Sequence, residues 1–193
     1  MPPLVPAVVP AGRMAGNGQP SLEASGSLLL RPWAAADARP LALAFEDPDI
    51  RRWHVNVVDD ESEAQTWIAS WAERWNRETD AGWAVVDGGT GTLLGRVALR
   101  RIDLTSGEAE CSYWVLPGAR QGGVATTATN RMVAWAFEDL GLHRVTIIHS
   151  VVNERSCAVA VKAGSSLEGT LASAQLLVDG WHDVHLHAKV NPT

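Results

Sequence analysis

The sequence has few cysteines, few basic residues and no long apolar run. Cys111 and Cys157 are the only cysteines among 193 residues, so a disulfide framework is not expected. No stretch approaches the roughly 18 consecutive apolar residues of a transmembrane helix. Lys and Arg number 16 against 22 Asp and Glu, giving a formal net charge of -6. That balance argues against non-specific binding to nucleic acid or anionic membranes, which requires a positive field.

Residues 1–26 lack apolar periodicity and are rich in Pro, Ala and Gly. The segment has no basic start and its prolines interrupt the apolar stretch, so it does not resemble a signal peptide. We expect an extended N-terminal arm, either mobile or packed on a partner subunit. A single domain over residues 27–193 follows, and we expect the protein to be cytoplasmic.

Residues 27–193 alternate between the apolar periods of strands and helices. Trp67, Trp71 and Trp75 recur every four residues and predict the core face of a helix. The order of elements predicts a mixed α/β or α+β fold with helices covering an antiparallel-dominated sheet. Helices are predicted at 34–46, 48–54, 59–79, 123–140 and 153–163, and strands at 27–33, 82–86, 92–103, 109–116, 144–150, 166–177 and 181–190.

The clearest chemical signal lies where a predicted strand passes through a glycine-containing loop into a long helix. Gly122 and Gly123 let a ligand approach the backbone closely, and the first N–H groups of the helix point into that space. Arg120 can donate paired hydrogen bonds to phosphate. The loop does not read G-x-G-x-x-G, and the sequence has no G-x-x-x-x-G-K-[ST]. It reads [RQ]-x-x-G-x-[GA], through Arg120, Gly123 and Ala125, and predicts a phosphate-bearing ligand, with a plain helix entry as the alternative.

With this loop the sequence resembles the GCN5-related N-acetyltransferases (GNAT), and within them the RimJ/RimL branch, over about residues 28–189. The resemblance implies a GNAT fold, with a mostly antiparallel, splayed central sheet flanked by helices. It also implies acetyl-CoA as co-substrate, direct acetyl transfer to a primary amine in a ternary complex, and a possible homodimer. Other matching segments are Leu30-Arg31-Pro32, Ala109–Val115, Leu142–Val145, Asn153–Ser156, Glu168-Gly169 and Trp181–Val184.

The resemblance further implies which residues hold the cofactor. Backbone around Trp114 to Leu116 would pair with pantetheine, and the loop and helix start would bind the pyrophosphate. Asn153 would lie beside the pantetheine arm and Ser156 near the cofactor sulfur. The implied cofactor-binding residues are Trp114, Val115, Leu116, Arg120, Gln121, Gly122, Gly123, Val124, Ala125, Thr126, Asn153 and Ser156.

Acetyl transfer to an amine needs a base for the ammonium proton and an acid for the leaving thiolate. Glu110 is the candidate base, with a salt bridge or solvated strand position as its alternative. Ser156 is the candidate acid, although a Ser at a helix start is commonly an N-cap. Tyr113 is a second candidate acid, with a place in the core as its alternative. A backbone N–H near Val115 would polarise the carbonyl.

Candidate acceptor contacts come from the early helical region and the last strand. Trp53 and His54 would form an aromatic wall that, with acidic groups nearby, suits a cationic amine. His185 and His187 stand where the family commonly has Asn and Tyr. The family also often has Glu, Glu and Phe where this chain has Thr127, Val161 and Ser165.

A metal is not expected. Strand alternation places His185 and His187 on one face and His182 on the other, and no further Cys or Asp lies at ligand spacing. Cys157 is interpreted as buried filler, because a catalytic thiol needs a base partner.

Three hypotheses on function remain open: acetylation of a protein N-terminal amine, acetylation of a small-molecule amine, and non-catalytic sensing of acyl-CoA. Use of a longer donor such as succinyl-CoA is a variant of the first two.

Overall fold

The computed structural model describes residues 4–192. Eight strands form one open sheet in the order β1-β2-β3-β4-β5-β6-β8-β7. The strands are Leu22–Glu23 (β1), Leu28–Pro32 (β2), Ala81–Asp87 (β3), Leu93–Asp103 (β4), Glu108–Val115 (β5), Arg144–Ser150 (β6), Ser166–Leu177 (β7) and Gly180–Val190 (β8). The α-helices are Ala38–Ala44 (α1), Pro48–Arg52 (α2), Glu61–Asn76 (α3), Val124–Trp135 (α4) and Glu154–Lys162 (α5).

All neighbouring strands pair antiparallel except β5 and β6, which are parallel. The predicted fold class, helices around a mostly antiparallel sheet, is confirmed. The predicted elements are present within a few residues of their expected ends. The two-residue strand β1 was not predicted, since it carries no periodicity of its own.

β5 and β6 separate halfway along β5. Their pairing begins at Glu108↔Arg144 and ends at Cys111↔Ile147, although β5 continues to Val115 and stays paired with β4 to that residue. The sheet is therefore splayed beyond Cys111. The backbone of residues 112–115 faces a gap rather than a neighbouring strand on that side.

Hydrophobic cores fill both faces of the sheet. One core gathers side chains from α4 and the central strands, among them Trp83, Met132 and Ile147. The other packs α1 and α3 against the sheet, with Leu41 and Ile68 at its centre. The predicted core face of α3 is confirmed by Trp71 and Trp75, which are 2% and 5% exposed; Trp67 is only partly buried.

The N-terminal segment packs on its own domain. Val9 and Met14 are each 1% exposed, and the Glu78 carboxylate accepts hydrogen bonds from the backbone N–H groups of Gly12 and Met14. The indole of Trp83 donates to Pro20 O at 2.8 Å. Residues 9–20 therefore pack on the chain's own domain, whereas the sequence led us to expect an arm that is mobile or packed on a partner subunit; residues 1–3 lie outside the described part.

No helix between residues 4 and 192 has the length and apolar character needed to cross a membrane.

Candidate active site

The gap between β5 and β6 opens into a cavity of about 290 Å³. Glu110 and Ser112 line it together with Tyr113, and Asn153 and Ser156 close it from α5. Because alternate residues of a strand point to opposite faces, the cavity reaches both faces of the sheet at the split. A larger groove of about 620 Å³ lies beside it, between α2 and the end of β7, and contains none of these five residues.

Tyr113 and Ser156 form a hydrogen-bonded pair inside this cavity. Tyr113 Oη lies 2.8 Å from Ser156 Oγ and 3.1 Å from the Ser156 carbonyl oxygen. Burial raises the pKa of Tyr113, and the hydrogen bond to Ser156 only partly opposes it. The phenol therefore keeps its proton at neutral pH and can act as a donor. The structure joins the two candidate acids of the sequence into one unit.

The helix cap at this point belongs to Asn153. Its side-chain oxygen accepts a hydrogen bond from Ser156 N at 3.1 Å, which makes Asn153 the N-cap of α5. An N-cap of this kind contributes about 1 kcal/mol to helix stability. The alternative interpretation of Ser156 as the N-cap is wrong, because its hydroxyl lies against Tyr113 instead.

Glu110 lines the cavity and also forms an ion pair. Its side chain is 18% exposed, and Oε2 lies 2.9 Å from Arg101 Nη1. Arg100 is its direct neighbour across the β4–β5 ladder. The salt bridge that was the alternative for Glu110 is therefore present. The Glu110 carboxylate also lines the cavity at the split.

Trp53 and His54 reach the same cavity from the chain that follows α2. The His54 ring donates from Nδ1 to Ile50 O at 2.7 Å. Burial lowers the pKa of His54 to about 4, with the nearby Arg96 and Arg100 charges acting in the same direction. The imidazole is therefore neutral at physiological pH.

The cavity also holds three arginines that the sequence interpretation did not include. Arg74, Arg96 and Arg100 line it, while Glu110 is its only carboxylate among the lining residues. The aromatic wall was expected to suit a cationic amine if acidic groups lay nearby, and Glu110 is the one acidic residue of the described chain that lines this cavity. The sequence did contain a signal for this pair. Arg96 and Arg100 are four residues apart on the predicted strand 92–103, so their side chains lie on the same face.

Arg96 is the most unusual of the three, because it is 7% exposed. Its guanidinium carbon lies 5.5 and 5.1 Å from the ring centres of Trp67 and Trp71. Nη2 contacts Ser112 Oγ at 3.3 Å, and Nε has no hydrogen-bond partner within residues 4–192. Among the described residues no carboxylate lies within ion-pairing distance of it. Burial lowers the pKa of Arg96 to about 9, helped by the Arg100 charge, which leaves a cation at neutral pH.

The loop after β5 has the geometry of an anion site. Gly123 is the N-cap of α4 with φ 76°, and Gln121 also has a positive φ of 67°. The helical hydrogen bonds begin with Thr127 N donating to Gly123 O at 2.9 Å. The N–H groups of residues 124–126 precede this bond and lack an intrahelical acceptor, as at any helix start.

Arg120 has protein partners in this structure. Its guanidinium contacts Asp47 Oδ1 at 2.6 Å and Asp49 Oδ2 at 3.1 Å, and Nε donates to Val115 O at 3.1 Å. It therefore ties the loop and the end of β5 to the start of α2. The sequence pointed to a phosphate contact, but it could not reveal these carboxylates 71 and 73 residues away.

His185 and His187 do not line this cavity. His187 is 1% exposed, and both rings pack beside His149 of β6. Ligand atoms of these three histidines and of Cys157 lie within 4.8 Å of one another. His182 stands apart, bound to Ser150 and Asp179. The reason for excluding a metal fails in three dimensions, because a Cys and a third His do lie beside the pair.

A comparison with known protein families decides the identity of the fold. The family described as "Acetyltransferase (GNAT) domain" matches residues 27–166. This chain belongs to the GNAT acetyltransferase family. As a GNAT chain it also resembles YdaF of Bacillus subtilis (strain 168), with 37% identity over 92 residues, 48% of this chain and 50% of YdaF.

Two further similarities place this GNAT chain among its relatives. It is 31% identical to the ribosomal-protein-serine acetyltransferase of Escherichia coli (strain K12) over 98 residues, 51% of this chain and 55% of that enzyme. The matches thus span about half the length of YdaF and of this enzyme. Among solved structures, the microcin C7 self-immunity acetyltransferase MccE in complex with acetyl-CoA and AMP has a TM-score of 0.79 at 23% identity, covering 86% of this chain and 93% of MccE.

Proposed function

We propose that this protein transfers an acetyl group from acetyl-CoA directly to a primary amine, with donor and acceptor bound together. The observation that carries the proposal is the Tyr113–Ser156 pair at the split between β5 and β6. It puts a proton donor beside unpaired strand backbone, next to a helix N-terminus suited to a pyrophosphate. Family membership and the acetyl-CoA complex of MccE support acetyl-CoA as the donor.

The donor would occupy the split. Strand backbone at residues 112–115 offers hydrogen bonds to the amides of pantetheine, as a neighbouring strand would. The N–H groups of residues 124–126 would bind the pyrophosphate. Asn153 and Ser156 would then border the pantetheine arm near its sulfur.

The chemistry proceeds at the point where the two faces of the sheet meet. A neutral amine nitrogen attacks the thioester carbon, whose oxygen accepts a hydrogen bond from backbone N–H near Val115. The C–S bond breaks, and the thiolate takes a proton from the Tyr113–Ser156 pair. Before the attack, Glu110 removes the ammonium proton of the acceptor, directly or through water. The second proton, which the nitrogen loses as it becomes an amide, returns to the Tyr113–Ser156 pair. Holding both substrates in line supplies a large share of the acceleration.

The acceptor side favours an amine that also carries an anionic group. Arg96 is a buried cation without a carboxylate partner among residues 4–192, and such a charge costs several kcal/mol unless a counter-charge arrives. The faces of Trp67 and Trp71 beside it suit a flat or apolar acceptor group. A small amine with a carboxylate or phosphate therefore matches the cavity better than a simple cationic amine, and the AMP bound to MccE shows that a relative of this fold accommodates such a group.

The test measures release of free CoA from acetyl-CoA with matched amines that differ only in an anionic group. We expect turnover, with the anionic member preferred by about tenfold or more, which corresponds to about 1.4 kcal/mol. In Arg96→Met that preference should disappear while the neutral amine is unaffected. Arg77→Met, at an exposed arginine paired with Glu73, is the matched control.

Three results would revise the proposal. Tight CoA binding without turnover on any amine would identify an acyl-CoA sensor. Faster turnover with succinyl-CoA would change the donor. Peptides with free N-terminal amines that react as fast as the anionic small amine, whatever the charge of the peptide, would favour a protein acceptor.

A further inference from the structure

Four metal-ligating side chains from three elements meet beneath the start of α5. His149 lies on β6, His185 and His187 on β8, and Cys157 on α5, with ligand atoms all within 4.8 Å of one another. His149 and His185 are direct cross-strand partners. His187 lies two residues further along β8, on the same face.

The unusual feature of this cluster is its unsatisfied ring nitrogens. His149 and His187 are 4% and 1% exposed. The Nε2 atoms of both, and Nδ1 of His185, are buried without a hydrogen-bond partner in the described part of the chain. Buried polar atoms in native proteins are nearly always paired. Three orphaned nitrogens converging on one thiol need a common partner.

The hydrogen bonds that the rings do make orient the free nitrogens for a cation. His149 Nδ1 lies 2.8 Å from Ser150 O and His187 Nδ1 lies 3.5 Å from Ser165 O. A carbonyl oxygen only accepts, so each Nδ1 carries a hydrogen, and in the neutral ring the lone pair is then on Nε2. A backbone carbonyl on the far nitrogen is the usual outer support of a metal-bound histidine.

The geometry points to a binding site for one zinc-like divalent cation, held by Cys157 Sγ and by His149, His185 and His187. One thiolate and three imidazoles suit tetrahedral Zn²⁺, with bonds of about 2.0–2.3 Å that put neighbouring ligand atoms about 3.3–3.8 Å apart. A contraction of about 1 Å would close the present spacing. The ion would join α5 to β6 and β8, directly behind Ser156.

The experiment uses the full chain, freed of CoA and treated with a chelator, and titrates Co²⁺ as a spectroscopic probe. We expect one ion per chain, a thiolate-to-cobalt charge-transfer band, and displacement by Zn²⁺ but not by Mg²⁺. Cys157→Ser should lose the band, and His185→Gln should weaken binding by about tenfold or more. Cys111→Ala and His143→Gln remove the other cysteine and an exposed histidine, and both should bind as the unaltered protein does.

A second measurement on the unaltered protein protects the test against misfolded variants. Zn²⁺ should slow alkylation of the Cys157 thiol by about tenfold or more, because a metal-bound thiolate is not free to react. The buried Cys111 should stay unmodified in peptide mapping with and without Zn²⁺, which shows that the fold is intact. No cobalt uptake, cobalt binding without a thiolate band, or equal alkylation with and without Zn²⁺ would each overturn the site. None of these readouts depends on acetyl transfer, so they stand or fall separately from the proposed activity.

Discussion

The proposed donor and acceptor sides of the cavity are built from different chemical groups. On the donor side the groups offered to a ligand are main chain: the unpaired end of β5 and the open first turn of α4. On the acceptor side they are side chains: Arg96, Arg100 and Glu110, with tryptophans around them. Main-chain groups recognise a constant ligand, whereas side chains can change without disturbing the fold.

The Tyr113–Ser156 pair stands between the two sides, and its loss should have the largest effect. Tyr113→Phe removes the phenol but keeps the ring, and we expect kcat to fall by about 10²-fold with little change in the KM for acetyl-CoA. Ser156→Ala should cost less. Because the two oxygens are 2.8 Å apart, the double variant should be about as slow as the worse single variant. Additive losses would show that the two hydroxyls act separately.

Glu110→Gln should lower the rate by about 30-fold at neutral pH, within the range of a general base. The loss should shrink as pH rises, since the acceptor amine then loses its proton without help. Arg101→Gln removes the partner of the carboxylate and serves as the control, with a small effect at every pH. A pH–rate profile for Glu110→Gln that parallels the unaltered protein would leave Glu110 with only its ion pair.

Gly123→Val tests the main-chain side. Gly123 has φ 76°, and a Cβ added there would meet no atom of the described residues within 4 Å, so the cost lies in the backbone, about 1–2 kcal/mol for an L-residue. We expect CoA affinity to fall by about tenfold while the KM for the amine stays the same. Gly118→Val is the matched control, because Gly118 is not one of the implied binding residues, its φ is not positive and a Cβ added there would likewise meet no described atom within 4 Å. Equal CoA affinity in both variants would remove the loop from the donor site.

The difference between main-chain and side-chain groups also determines how much of the fold and of the site could be predicted from the sequence. Helices and strands have apolar residues at a local period, so their positions can be predicted from neighbouring residues. The same holds for the glycine-containing loop before α4. Arg96 meets Trp67 and Trp71 only when α3 packs on β4, and no local period encodes that contact. The sequence does not reveal the proposed divalent-cation site for the same reason, since its cysteine and histidines come from three elements. Spacing rules recognise ligands close in sequence, and they pass over ligands that a sheet brings together.

Arg120 is the position where sequence and structure lead to different expectations, and its effect should be the smallest. As a phosphate contact, Arg120 would bind CoA directly. In the structure, Arg120 instead forms ion pairs that link the loop to Asp47 and Asp49. Burial favours a higher pKa for Asp47, but hydrogen bonds from Arg120 and from Ile50 N outweigh it and lower that pKa. The pair therefore stabilises the loop above the ordinary Asp pKa, and this contribution is lost as pH falls through the lowered value.

Asp47→Asn separates the two roles of Arg120, because Asn caps α2 as well as Asp does and removes only the charge. If Arg120 positions the loop, Arg120→Gln and Asp47→Asn should both weaken CoA binding by about two- to fivefold, the scale of a partly exposed ion pair. Calorimetric titration of CoA into both variants checks this. Tighter binding in Asp47→Asn would mean that the carboxylate competes with phosphate for the guanidinium. CoA binding would then depend on the Arg120 side chain as well as on main-chain groups. The contrast between main-chain recognition on the donor side and side-chain recognition on the acceptor side would be weaker by that one residue.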